Sequence, residues 1–365
     1  MSFFKKNFGT KTPSVASNDD FWEWFKSNAD QFLEIVKAHE HIETEFFLPL
    51  DKQLTALKPD FQYLCGMQDE KTAELILSAD GIIRQIVFVE QLVKAAPQIK
   101  NWKFTALKQA SAIEDCNVEM NGYHFNKDSL QFYEDSNPQY PDQIELVFVH
   151  KDINEENKNE ILVGINILLD IFLGELEFAT QVDYIDVVGP DDATEDLIPL
   201  VKLKDYLNWR HKEFIEKYEG TFRFSDEDQF LGFEAMLLND QPLTAFMNKD
   251  LLNWEAKASH PWMLEISFHY NGDENKGLPD EQTYALMDQI EDEINDVLTD
   301  KDGFLNIGRQ TGGNERLVFI ACKSFRKPAL AIADFEKRYA PKILIEYEIV
   351  KDKYWLSLKK YNTLT

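Results

Sequence analysis

The clearest alternation of apolar and polar positions lies in residues 262–350. From Trp262 to Tyr270, Leu264, Ile266, Phe268 and Tyr270 fall on one side and Glu265, Ser267 and His269 on the other. That is the period of a half-buried strand. Asn271-Gly272 breaks it, and Gly277-Leu278-Pro279-Asp280 leads into a new period. Leu286, Met287, Ile290, Ile294 and Val297 recur at helical spacing. Phe304–Gln310 and Arg316–Cys322 alternate again on either side of Thr311–Glu315, which predicts a hairpin. Pro328 opens a second helix, Ala329–Tyr339, and Pro341 ends it. Ile343, Ile345, Tyr347 and Ile349 make a fourth strand. Lys351-Asp352-Lys353 reads as a turn into an added edge strand, Tyr354–Lys359. Strand, helix, strand, strand, helix, strand is the split βαβ, or ferredoxin-like, order. It predicts one antiparallel sheet in which the strands at 343 and 304 flank the pair at 262 and 316. Helices at about 281–299 and 329–339 back it.

Upstream, Asn18-Asp19-Asp20 offers capping chemistry for a helix whose stripe is Trp22, Phe25, Ala29, Phe32, Leu33 and Val36. A second helix covers about Glu45–Leu57. Phe61–Met67 and Thr72–Ala79 read as strands, Val87–Ala96 as a helix and Trp102–Leu107 as a strand. Gln143–His150 and Val182–Val188 are strands around an apolar helix marked by Ile161, Ile165, Leu168 and Phe172. With 109–141 set aside as an inserted, hairpin-bearing excursion, residues 61–190 repeat the βαββαβ order. The expected fold is therefore α+β, with two ferredoxin-like antiparallel units, helices on one face of each, and N-terminal helices in addition. The expected organisation is a flexible tail at 1–17, an N-terminal domain at 18–198, a linking helix at 199–219 and a C-terminal domain at 220–365.

Composition narrows the function classes. With 365 residues and 44% hydrophobic positions the chain can bury proper cores. Its 65 acidic against 38 basic residues give a net charge of −27. This argues against nucleic acid, whose phosphates need basic groups, and against an anionic membrane surface. It suits solubility or attraction to a basic partner. Cys65, Cys116 and Cys322 are too few and too scattered for a disulfide framework or a thiolate metal site, and Met1–Ser17 has no apolar run of a signal peptide. A cytoplasmic location is expected, with no cofactor and no metal.

No catalytic motif emerges. Gly308-Arg309-Gln310-Thr311-Gly312-Gly313 sits between two strands, whereas a phosphate cradle needs a strand-to-helix turn. Asn271, Asp273 and Asn275 open like a calcium loop, but the required glycine and closing glutamate are Lys276 and Gln282. His269, if it faces outward beside Glu346 or Glu348, has the makings of an acid–base pair, with Arg309 in the same domain. The strongest anomaly is the helix from Glu281. Asp288, Glu291, Asp292, Glu293 and Asp296 crowd it with no lysine among them, although like charges three and four apart repel. Asp288, Glu291, Asp292 and Asp296 are expected to be exposed. They are the candidate binding residues, together with His269 and Arg309, and no catalytic residue is assigned.

Gly277-Leu278-Pro279, Ile290-Glu291-Asp292, the run from Gly303 to Gly308-Arg309 and the Arg316 strand resemble the bacterial family known as domain of unknown function 695, over roughly residues 220–350. Ala79-Asp80-Gly81, Ala95-Ala96-Pro97, Trp102-Lys103-Phe104 and Leu169–Glu175 resemble the segment that often precedes that domain. The resemblance implies no activity and no catalytic residues. A more distant likeness, of fold pattern and acidity only, is to the regulator of ribonuclease E activity, type B, which acts by binding an enzyme.

Two functional expectations follow. The first is a non-catalytic protein-binding or regulatory module, inhibitor- or immunity-like, meeting a basic protein through its acidic surface. The second is a hydrolase or small-ligand-binding protein that uses the cleft between the two sheet domains.

Overall fold

The computed structural model describes residues 16–362, so most of the expected 1–17 tail lies outside the described residues. Contacts divide the chain into two units. The first holds residues up to Asp80 with Phe88–Lys108, and the second holds Gly81–Val87 with Gln109 onward. The division does not fall at the expected boundary near residue 198.

The first unit opens with α1 (Asn18–Ala38), whose N-cap is Ser17 rather than the Asn-Asp-Asp run; its side chain accepts from the Asp20 N–H. A π turn at Glu43–Phe47 runs into α2 (Leu48–Leu57). Then come β1 (Gln62–Met67), β2 (Ala73–Ser78), α3 (Ile83–Lys94), whose residues up to Val87 fall in the second unit, and β3 (Trp102–Ala106). β1 pairs antiparallel with β2, and β2 pairs parallel with β3. The α1 stripe buries Phe21, Trp22, Phe25 and Phe32 among Phe46, Trp102 and Phe104. Two buried indoles find acceptors: Trp22 donates to the Leu92 carbonyl at 2.7 Å and Trp102 to that of Ala29 at 3.0 Å.

In the second unit, β4 (Val118–Met120) and β5 (Tyr123–Phe125) form a small hairpin around Asn121-Gly122, within the segment set aside as a hairpin-bearing excursion. β6 (Gln131–Glu134), β7 (Glu145–Val149), α4 (Lys158–Leu173), α5 (Glu175–Gln181), β8 (Tyr184–Val188) and β9 (Ile198–Pro199) follow, ordered β8-β7-β6-β9 in a mixed sheet. β7 and β8 are parallel, joined through α4 and α5. α4 buries Ile161, Ile165 and Phe172 against Phe125, Phe132 and Phe148. Gly164 admits the Phe125 ring so closely that a Cβ there would lie 2.2 Å from it.

The expected second βαββαβ unit at 61–190 therefore does not form. Its first three strands pair among themselves in one unit, and its last two join β6 and β9 in the other. Element order was right, but order alone does not say which strands share a ladder. β6 and β9 are too short to show a period, and they complete the second sheet.

α6 (Leu203–Tyr218) leads to β10 (Phe230–Met236), β11 (Pro242–Asn248), the short α7 (Lys249–Leu252), β12 (Trp262–His269), α8 (Glu281–Val297), β13 (Phe304–Gly312), β14 (Glu315–Cys322), α9 (Arg326–Tyr339), β15 (Leu344–Lys351) and α10 (Lys359–Asn362). The sheet runs β10-β11-β13-β14-β12-β15 and is antiparallel throughout. β15 and β13 flank the β12–β14 pair, as the alternation predicts, and β10 and β11 widen the sheet to six strands. α8, capped by Asp280 through the Thr283 N–H, and α9 lie on one face. The other face carries Met247, Met263, Leu305, Ile307 and Phe319 under Trp355, Leu358 and Tyr361. Residues 354–359 thus do not add an edge strand. They turn through a 3₁₀ segment, Leu356–Leu358, into α10 and lay those three side chains on the sheet.

Ile165 and Ile290 are fully buried. Changing either to Ala should cost about 2–5 kcal/mol in urea denaturation. A loss below about 1 kcal/mol would show that its helix does not press that face into the core.

Candidate functional site

The structure separates the residues that sequence reasoning grouped. Arg309 and Arg316 stand on the sheet face under α8, and two of the four candidate carboxylates of α8, Asp288 and Glu291, turn to meet them. Arg316, 0% exposed, donates to Asp288 at 2.7 Å and to the Thr311 hydroxyl at 3.2 Å, and its guanidinium lies over the Tyr284 ring. Arg309 donates to Glu291 at 2.9 Å. Glu291 is buried and Asp288 half-buried, so these two are not the exposed carboxylates expected. The arginines are invisible to the helix period, and they neutralise the side of α8 that faces the sheet. Asp292 and Asp296 are exposed, as expected. His269 lies on the opposite sheet face, 2.8 Å from Glu346 and 3.8 Å from Glu315. The anticipated histidine–carboxylate pair forms, but on the face away from Arg309. Among the described residues no cluster of His, Cys, Asp and Glu is placed to hold a metal ion.

A cavity of about 630 Å³ lies elsewhere in the second unit. α5 contributes Leu176 and Thr180, and α6 contributes Arg210, His211, Phe214 and Lys217. The ends of β12, β14 and β15 contribute Trp262, Lys323 and Lys351, with Phe325 and Lys353 beside them. One wall is apolar: Ile144, Leu176, Phe214, Ile215, Trp262 and Phe325, the last two edge to face at 4.9 Å. The rest is polar and mixed in charge: Arg210, Lys217, Lys323, Arg326, Lys351 and Lys353 stand with Asp142, Glu213 and Glu216, so cations outnumber carboxylates there in a chain that is acidic as a whole. A volume of a few hundred Å³ with few convergent polar groups is the usual form of a small-molecule site.

Its charges are held by long-range pairs. Asp183, at the start of β8, takes Lys351 on one oxygen at 2.9 Å and Lys353 on the other at 2.7 Å. It also accepts the Ile144 N–H at 2.7 Å. Side-chain exposures are 6% for Lys353 and 7% for Asp183. Asp142 accepts from Lys217 at 2.8 Å, from the Tyr218 hydroxyl at 2.8 Å and from the Tyr354 hydroxyl. Burial pushes its carboxyl up, but these bonds hold it below the usual carboxylate range. Arg210 pairs with Glu134 at 2.9 Å. Lys323 donates to the Thr221 carbonyl.

Two ammonium groups therefore share one carboxylate, leaving a positive charge in surplus. The strain appears in Lys351, whose pKa falls to about 8 because of burial, partly offset by Asp183 and deepened by Lys353. His211, across the cavity, is lowered by burial and then by the same two lysines. A second anion would relieve this repulsion.

Sequence reasoning read Lys351-Asp352-Lys353 as a turn. One signal was available: Lys351 is in phase with Ile345, Tyr347 and Ile349, the buried side of its strand. Its partner is 168 positions away in sequence, which no local pattern discloses.

Residues 233–361 match the model of a family of unknown function, DUF695. No curated protein matches the chain, and no solved structure does. The match covers β12–β15 with Lys323, Lys351 and Lys353, and stops short of Asp183, Asp142 and α6.

Proposed function

Starting from a C-terminal part that matches a family of unknown function, we propose that the chain binds a small anionic molecule with an apolar body in the cavity of the second unit. The observation that carries this is the pair Lys351 and Lys353 on the single carboxylate Asp183, beside an apolar wall. A carboxylate or phosphate group would take the surplus charge, and an aromatic or aliphatic body would lie against Trp262, Phe325 and Phe214. This favours the small-ligand expectation. Binding, not hydrolysis, is the activity proposed, because the cations of the cavity are already arranged around structural carboxylates. Three free cysteines, two of them buried, and the lack among the described residues of a helix able to cross a membrane support a cytoplasmic setting.

Phenyl phosphate, inorganic phosphate and benzylamine make a suitable probe set for calorimetric titration. Phenyl phosphate should bind best and benzylamine not at all. Lys351→Met, which keeps length and removes charge, should weaken phenyl phosphate at least about tenfold, or ~1.4 kcal/mol. Lys351 is protonated below about 8 and neutral above it, so affinity should fall as pH rises from about 7 to about 9. The other titratable groups facing it are Lys353, Asp183 and His211. Equal affinity of parent and variant, or affinity flat across that pH range, would sink the proposal.

A further inference from the structure

α8 and α9 cover the sheet unevenly. α8 meets β13 and β14 through Arg309 and Arg316, and α9 meets β15 through the Tyr347 hydroxyl, which donates to the Ala329 carbonyl at 3.0 Å. Two helices thus serve four strands. The remaining two, β10 and β11, have no helix on that face among the described residues. Strands lie about 4.8 Å apart, so the uncovered strip is roughly 10 Å wide, which is the width of one helix.

The strip is apolar where it should be solvated. Phe230 and Phe246 are 40% and 47% exposed and stack on each other, ring centroids 5.0 Å apart and planes within 14°. Met236 on the same face is also exposed. Between the strip and α8 runs a trough of about 570 Å³, lined by Phe224, Phe230, Phe246, Glu291 and Asn295. Ser225 closes one end, its N–H and hydroxyl both donating to Asp300 at 2.6 Å.

The surround is acidic. Asp226 and Asp300 line the trough, Glu234 stands on the strip, and Asp292 and Asp296 are exposed on α8. Two cations, Lys301 and Arg309, also line the trough, and Arg309 is already taken by Glu291. The unspent charge is negative.

We propose that this strip is a docking surface for a basic amphipathic helix of a partner protein. The helix would lie beside α8 as a third helix on the sheet, its apolar side on Phe230, Phe246 and Met236. Its lysines or arginines would reach Asp226, Glu234 and the α8 carboxylates. Helix-in-groove recognition of this kind needs an apolar floor and complementary rims, and both are present.

The test uses the full chain and two labelled peptides of about five helical turns, one a leucine–lysine amphipathic sequence and one its leucine–glutamate counterpart. Fluorescence anisotropy at low salt should show binding of the lysine peptide only. Phe246→Ser or Phe230→Ser should weaken it at least about tenfold. Both side chains are exposed, and whichever variant keeps the parent's urea midpoint is the one scored. Asp226→Lys with Asp292→Lys should weaken it further and flatten its salt dependence, since attraction between opposite charges is screened. Lysine peptide bound equally by parent and serine variants would mean attraction to the acidic surface at large and would overturn the proposal. Equal binding of the glutamate peptide would do the same. So would sedimentation showing a dimer of the parent that Phe246→Ser abolishes, because the strip would then belong to a second copy.

Discussion

An Asp183→Ala chain should lose about 3–5 kcal/mol of stability at pH 7, the scale expected when one partner of a buried ion pair is removed and the other charge stays. Here two charges stay. Lys351 and Lys353 would face each other without a counterion, and the Ile144 N–H would lose its acceptor. The pH dependence identifies the cause. Lys351 has a folded pKa of about 8 against an ordinary lysine value near 10.5. Between those values the unfolded chain holds more protons than the folded one, so Lys351 makes stability rise with pH across that window and costs most below it. Asp183 is the group that raises the Lys351 pKa, so in the variant the window opens at a lower pH. The gap between parent and variant should therefore narrow between about pH 7 and about pH 9, as the folded Lys351 of the variant loses its proton first. Urea denaturation at both pH values measures this. A loss equal at the two pH values would show that packing, not charge, holds Asp183 in place.

The second large effect is at the other buried cation. Arg316→Ala should cost about 3–5 kcal/mol in the same measurement, because it opens a void under α8 and leaves Asp288 without its closest cation. Arg309 lies 3.5 Å from Asp288 but is committed to Glu291, so it compensates only in part. Arg316→Lys should recover part of the loss, since an ammonium restores charge but not the fork that meets Asp288 and Thr311 together. A cost for Arg316→Ala below about 1 kcal/mol would mean that α8 is anchored by its apolar stripe alone.

The C-terminal sheet was legible because its strands are long enough to alternate and are separated by Asn-Gly and Gly-Gly-Asn turns. Trp262–His269 and Leu344–Lys351 each give eight residues of pattern. β6 gives four and β9 two, below the length at which a period is visible. The parallel β2–β3 and β7–β8 pairs were hidden for a different reason. Partner choice depends on which apolar faces meet in space, and the hydrophobic pattern of one strand does not name its neighbour. At the C-terminus the signal existed: Trp355, Leu358 and Tyr361 recur every third residue, a helical spacing, and they do belong to a 3₁₀ and α-helical run. The acidic helix was half legible. Its charges are real, but the arginines that claim Asp288 and Glu291 sit on strands whose facing could not be counted from the sequence.

That facing turns on one residue. In β13, Asn306 is paired with Ile320 and Gly308 with Phe319, so Ile307 is an extra residue without a partner of its own. Gly308 accepts the kink with φ +140° while the β11 backbone passes close by; a Cβ there would lie 2.3 Å from the Phe246 carbonyl oxygen. Strand position is a matter of parity. Even-numbered Asn306 reaches α8 through Asn295, and without the extra residue every even-numbered position after it would do so too. Ile307 inverts the parity, so that odd-numbered Arg309 and Thr311 face α8 and Gln310 faces Tyr361. The charge balance of the acidic helix and the edge of the proposed docking trough are thus both set by a single inserted residue in β13.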